Sequence, residues 1–271
     1  MKFLALILFV VLISTIKSRD ITFSGYNYRV KSCTTQCGPG SNYFSDATDY
    51  VWVDGSNRLH LKVAQNPSAG NRWECSEVIP YEALGYGLYC WGVDFQLEYL
   101  DPHIVLGLFT WSDYSDNYYT EIDIEFSKWS DPYADNGHFS VQPYDISGNT
   151  YAYNYTDKPQ QTMHCFEWKN DYIHFASFSY CDHINCIHDD NTRIDIQWKY
   201  TNVSGIPPPN STHPRINFWI TNGPPSQESE MIINNFEFSL TETIDAQSSH
   251  SIISASFLLI LTLILFSFTL F

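Results

Sequence analysis

The sequence predicts an all-β fold, a sandwich or jelly roll, and three observations carry that expectation. Short apolar–polar alternations of period two recur along the chain, and sustained helical periodicity is hard to find. Turn-forming clusters separate them, at Gly38-Pro39-Gly40, Asp54-Gly55, Ser147-Gly148-Asn149 and Asn222-Gly223-Pro224-Pro225. No internal repeat of blade length is visible, which argues against a propeller.

Taken in order, the alternation marks strands at Tyr50–Val53, Leu59–Val63, Trp91–Leu97, Ile104–Trp111 and Glu121–Phe126. It resumes at Phe139–Tyr144, Cys165–Trp168, Ile194–Trp198, Ile216–Thr221 and Ile232–Leu240. Residues 180–188 and 205–214 break the pattern and read as insertions. With no linker composition between them, these segments form one domain over residues 20–242.

The ends differ in kind from this core. Residues 1–18 hold Lys2, an apolar run from Phe3 to Ile13 and then small and polar residues, the pattern of a secretory signal peptide. Residues 245–271 pass from small and polar residues into an apolar tail with no following Lys or Arg. That is the pattern of a GPI-attachment signal, with the attachment site among Asp245, Ala246 and Ser248. A retained C-terminal membrane helix is the alternative, although such a helix usually has basic flanks. The expected location is therefore outside the cell, on the extracellular face of the membrane. Asn154, Asn202 and Asn210 each open an Asn-x-Ser/Thr sequon, as a glycoprotein would, whereas Asn66 is followed by proline and fails.

Seven cysteines fit an oxidising compartment but leave one unpaired. Cys33 with Cys37, and Cys181 with Cys186, are close enough in sequence to close local loops. Cys75, Cys90 and Cys165 lie in strand-like context and read equally well as buried thiols. No paired CxxC spacing points to a metal. The formal charge of −16 excludes nucleic acid as an expected partner, since neutralising phosphates takes Lys and Arg. A neutral polysaccharide is the easier partner, and a monomer the expected state.

The most informative segment is Glu121-Ile122-Asp123-Ile124-Glu125-Phe126. In a strand its three acids share one face and its three apolar residues the other. Three acids side by side repel, so a fold that keeps them needs a reason. Two carboxylates flanking one bond are what glycoside hydrolysis requires. A solvated face and a structural calcium ion are the competing readings, and the catalytic reading itself requires no cofactor. Glu121 and Glu125 have Cα atoms about 13 Å apart when extended, at roughly 3.3 Å per residue. Long side chains leaning inward on a curved sheet can approach the short separation of a retaining pair. Clustered charge raises at least one pKa, as a general acid needs, and Asp123 can hydrogen-bond the nucleophile between the two.

The flanks extend this. The Glu-x-Asp-x-Glu strand resembles that of glycoside hydrolase family 16, and the resemblance covers most of the mature chain. Residues 38–45, 51–54, 59–63 and 85–89 resemble the family's opening strands, and residues 107–111 the strand before the acids. Residues 164–168 and 216–220 resemble later cleft strands. The resemblance implies a concanavalin A-like β-jelly-roll sandwich with a concave cleft, and retaining, endo-acting cleavage of β-glucans or related β-linked polysaccharides. It implies Glu121 as nucleophile, Asp123 as its helper and Glu125 as acid/base. With no extra residue between Asp123 and Glu125, the segment is closer to the lichenase, xyloglucan and cell-wall transglycosylase branches than to the bulged laminarinases.

Aromatic residues make up 17% of the chain. If Ile216, Phe218 and Ile220 face the core, then Asn217, Trp219 and Thr221 face the groove. By the same alternation Trp111 ends its strand at the groove, and Gln142 follows on a neighbouring strand. Trp111, Trp129, Gln142, Asn217 and Trp219 are therefore the candidate substrate contacts, with Tyr114, Tyr118 and Tyr119 as further aromatics. His138 and His164 read as structural or hydrogen-bonding. The expected function is a surface-anchored glycosidase. A wall-remodelling transglycosylase using the same acids, and a lectin-like module without turnover, are the alternatives.

Overall fold

The computed structural model describes residues 18–113, 120–189, 191–209 and 211–240. The leader, the C-terminal tail, Asn210, Tyr114, Tyr118 and Tyr119 lie outside them. No helix among the described residues is long and apolar enough to cross a membrane.

Sixteen strands and four short 3-10 turns make up these residues. The first eight strands are β1 (Asp20–Phe23), β2 (Tyr26–Val30), β3 (Val51–Val53), β4 (Leu59–Asn66), β5 (Arg72–Glu74), β6 (Ser76–Pro80), β7 (Gly87–Asp94) and β8 (Ile104–Trp111). The rest are β9 (Ile122–Phe126), β10 (Gly137–Val141), β11 (Thr150–Tyr153), β12 (Gln161–Trp168), β13 (Ile173–Phe178), β14 (Ile196–Tyr200), β15 (His213–Ile220) and β16 (Ser229–Ser239). They form two antiparallel sheets. The front sheet runs β1-β2-β6-β15-β8-β9-β10-β11, and the back sheet runs β14-β13-β12-β7-β16-β4-β3, with β5 paired to β4. This is the two-layer sandwich that the alternation predicts.

The core lies between the sheets. Ile122, Ile124 and Phe126 of β9, Leu106 and Leu108 of β8, and Ile216 and Phe218 of β15 point into it from the front. Tyr89, Trp91, Phe166, Phe175, Ile233 and Phe236 meet them from the back. Behind the acid strand, the Phe126 ring contacts Tyr153, Tyr155 and His164, with centroids 6.5, 5.8 and 4.6 Å away. His164 is fully buried between the hydroxyls of Thr162 and Ser177, and burial lowers its pKa to about 3. It is a neutral core histidine, satisfied by hydrogen bonds.

Several sequence expectations shift. The acid strand starts at Ile122, one residue late, and the strand expected to reach Tyr144 ends at Val141, before the cis Gln142–Pro143 bond. The segment expected at Trp91–Leu97 is the later part of β7, which stops at Asp94 ahead of a 3-10 turn at Leu97–Tyr99. Strands β1, β2, β5, β6, β11 and β13 escaped the alternation. In β6 and much of β13 both faces are covered, which erases the polar half of the pattern. Residues 164–168, expected at the cleft, belong to β12 of the back sheet.

Three disulfides form, Cys33–Cys37, Cys181–Cys186 and Cys90–Cys165, and Cys75 is a buried free thiol. Cys90 and Cys165 are direct partners on β7 and β12. They belong to a second apolar cluster with Leu88, Met163, Phe178, Cys186 and Ile187. Residues 180–188, expected as an insertion, thus cover the outer face of the back sheet.

Because Phe126 is wholly buried, Phe126→Ala is expected to lower unfolding free energy by about 3–5 kcal/mol in denaturant titration.

Candidate active site

The front sheet turns a cleft of about 460 Å³ outward. Its floor follows from register. On β9 the apolar residues face the core, so Asp123 and Glu125 face the cleft, and Glu121 continues the row just before the strand. Asp123 lies opposite Phe109 on β8, and Phe109 lies opposite Arg215 on β15. Glu125 lies opposite Gly107, which in turn faces Asn217. A Cβ at Gly107 would stand 2.4 Å from Asn217 Oδ1, so only glycine leaves room for Asn217 to lean across the floor.

The five substrate-contact candidates separate by position. Trp111, Asn217 and Trp219 line the cleft with the acids. Asn217 Oδ1 is buried over Gly107 with no hydrogen-bond donor. Trp129 stands beside the cleft with its ring in edge contact with Trp219, centroids 6.1 Å apart. It is held at φ 51°, a costly conformation for a bulky residue and one that clusters at functional sites. Gln142 is engaged within the protein instead. Its Nε2 donates to Asp123 Oδ2 at 2.9 Å, and its Oε1 accepts from the Tyr144 N–H at 2.9 Å. That geometry makes it a holder of Asp123 more than a contact for a ligand. Thr221 lines a separate pocket beyond Trp219, with Tyr43, Arg72 and Trp73. His138, opposite Glu125 on β10, bonds the carbonyls of Ser127 and Asp135.

Sequence reasoning missed the charged wall facing the acids. Arg215 donates to Glu77 Oε1 at 3.3 Å and Asp113 Oδ1 at 2.6 Å, and Lys31 Nζ donates to Glu77 Oε2 and the Gly38 carbonyl, both at 2.6 Å. The signal for Arg215 was present. It continues the groove-facing alternation of Asn217 and Trp219, but the strand had been started three residues too late, at Ile216 rather than His213.

All three acids are shifted towards their protonated forms. Burial raises Glu121 to about 10, with the charges of Asp123 and Glu125 adding and Arg215 opposing. Burial raises Asp123 to about 7, against the hydrogen bonds from Gln142 and Glu121. Glu125 is pushed well above the ordinary glutamate value by burial and by Asp123. The three titrate as one group and share protons near neutrality. A cleft of this kind can hold one carboxyl ionised beside another that still carries a proton. Among the described residues, no group of three or more His, Cys, Asp or Glu side chains is arranged to hold a metal ion.

The raised pKa of Glu121 means its ionisation opposes folding, negligibly below about pH 4.5 and increasingly as pH climbs towards 10. Glu121→Gln removes that opposition. Its melting temperature is expected to exceed wild type by about 2–4 °C at pH 8 and to match it at pH 4, in calorimetric scans.

No family model matches the sequence, and no curated protein matches it. Solved structures do match its fold. A pseudo β-1,3-glucanase of Mycobacterium tuberculosis superposes with TM-score 0.58 at 15% identity, covering 79% of this chain and 91% of its own. The β-glucanase of Bacillus licheniformis gives 0.57 at 17% identity, covering 84% of this chain and 100% of its own. A non-specific endo-β-1,3(4)-glucanase of glycoside hydrolase family 16 gives 0.57 at 11% identity, covering 78% and 83%. The chain therefore shares the β-jelly-roll sandwich fold of these three structures.

Proposed function

We propose that the protein is a glycoside hydrolase that cleaves β-linked polysaccharide, with β-glucan as the substrate class, and that it does so with retention. The observation that carries the reading is the floor of the cleft, where Glu121, Asp123 and Glu125 stand together opposite Asn217 and Trp219. The fold shared with β-glucanases supports it.

In this reading the group reacts in the form that has lost the proton from Glu121 and kept it on Glu125. The Glu121 carboxylate, which burial makes a minor species near neutrality, attacks the anomeric carbon while Glu125 gives its proton to the departing glycosidic oxygen. A glycosyl ester on Glu121 results. Glu125, now ionised, takes a proton from water as that water attacks the same carbon, which frees Glu121 and restores the acid. Asp123, held by Gln142, stabilises the pair and keeps the proton on Glu125 by its charge. Trp219 and Trp111 offer faces on which sugar rings can stack.

The same reading puts the protein outside the cell, as a glycosylated and lipid-anchored surface enzyme. Its support is the pair of apolar terminal segments, the three disulfides, and exposed sequon asparagines at Asn154 and Asn202. A second reading, sugar binding without turnover, is favoured by one observation, that a structural neighbour is named a pseudo β-1,3-glucanase.

Glu121→Gln is expected to lower kcat by at least about 10³-fold on a responsive β-glucan, with an unchanged far-ultraviolet spectrum. Turnover at the wild-type rate in that variant would exclude the mechanism. Proton NMR of the first product should show the β-anomer, as retention requires. Asp123→Asn removes a negative charge beside Glu125, so the alkaline limb of its pH–rate profile should move down by roughly one unit.

A further inference from the structure

The cleft does not end at Arg215. A neighbouring concavity of about 560 Å³ shares Lys31, Asp113 and Arg215 with it, and is also lined by Arg29, Ser32 and Thr34. Its lining carries three cations and one carboxylate, on a chain with only 14 Lys and Arg against a net charge of −16. Such a local inversion of charge has a consequence for what can bind.

Glu77, the other anion of the network, is buried on the cleft side and holds Lys31 and Arg215 in place from beneath. Asp113 is half exposed, and its pairing with Arg29 is long, at 3.8 Å between two solvent-exposed groups. A pair of that kind is worth little and exchanges readily for a better anion. Asp20, opposite Arg29 on β1, accepts a hydrogen bond from the Tyr81 hydroxyl. Arg215 is more than nine-tenths buried at the junction of the two concavities, and its Nε has no acceptor. The Ser32 hydroxyl donates to Asp46 Oδ1, and Lys31 and Arg215 are held within the Glu77–Asp113 network. The exposed Arg29 guanidinium, backed by these cations and beside the Thr34 hydroxyl, is therefore the donor that suits a carboxylate or sulfate.

We infer that this basic bank is a subsite for an acidic sugar, one bearing a carboxylate or a sulfate ester, within the polysaccharide whose cleavage is proposed above. The inference rests on that reading for the polymer and adds the charge of one of its units. Whole-chain charge favours neutral polymers at long range. At physiological salt, however, charges more than about 8 Å apart are screened, and the bank decides contact.

Three forms of one mixed-linkage β-glucan provide the test: the neutral polymer, the polymer partly oxidised to carboxylates at its primary hydroxyls, and the polymer bearing sulfate esters. At 0.15 M salt, at least one charged form should exceed the neutral form in kcat/KM by about fivefold or more. Arg29→Gln should cut that charged-to-neutral ratio by about fivefold, and Arg29→Lys should keep most of it. Which charged form responds tells carboxylate from sulfate. Charged forms no better than neutral, or a ratio unmoved in Arg29→Gln, would overturn the subsite. If none of the three is cleaved, the hydrolase reading fails, and the subsite is read from calorimetric binding of oligosaccharides cut chemically from each form. Preferential binding of a charged oligosaccharide that weakens in Arg29→Gln supports it; no such preference rejects it.

Discussion

Everything at the cleft depends on keeping three carboxyl groups on one face of a five-residue strand and its lead-in. Left to themselves they would repel, and the strand would prefer a solvated edge. What holds them is the opposite face of the same strand. Ile122, Ile124 and Phe126 are fully buried, and each such side chain contributes about 1.5–3 kcal/mol of burial. Strand β9 also lies between β8 and β10, so its backbone is hydrogen-bonded on both edges. The apolar face offsets the electrostatic cost of the acidic one, and period-two geometry makes the two inseparable.

Proton sharing is the second half of the arrangement. Each acid resists ionisation because it is buried beside the others, and the surroundings break the symmetry between them. Gln142 donates to Asp123, Arg215 opposes the shift at Glu121, and Glu125 faces a bare glycine on one side and His138 on the other. Equal residue types thereby have unequal surroundings within one jointly titrating group. The stability given up at this face is of the kind functional sites commonly carry.

The middle of the front sheet, β15, β8, β9 and β10, was legible in the sequence because its cleft face is partly polar. The alternation in β8, β9 and β15 located Trp111, the acids, Asn217 and Trp219 before any coordinates. Strand β6, covered on both faces and only five residues long, was not legible, and with it Glu77 was lost. Arg215 was lost to a boundary error of three residues at the start of β15. Gln142 illustrates a different limit: alternation brings it to the groove, but in the fold Asp123 and the Tyr144 N–H already occupy its two polar ends. The pairing of Cys90 with Cys165 was equally out of reach, because it depends on the register between β7 and β12.

The absent side chain at Gly107 sets how deep a ligand can sit. Between Glu125 and Asn217 the cleft is floored by main chain, and main chain has no rotamers with which to rise or yield. Walls built of Trp219, Trp111 and Arg215 can be exchanged or tilted, but the floor is rigid to within the tolerance of a hydrogen-bonded ladder. The distance from the acids to whatever rests there is therefore fixed by the sheet itself. What the cleft admits is then a matter of its walls and rims, with its depth left constant.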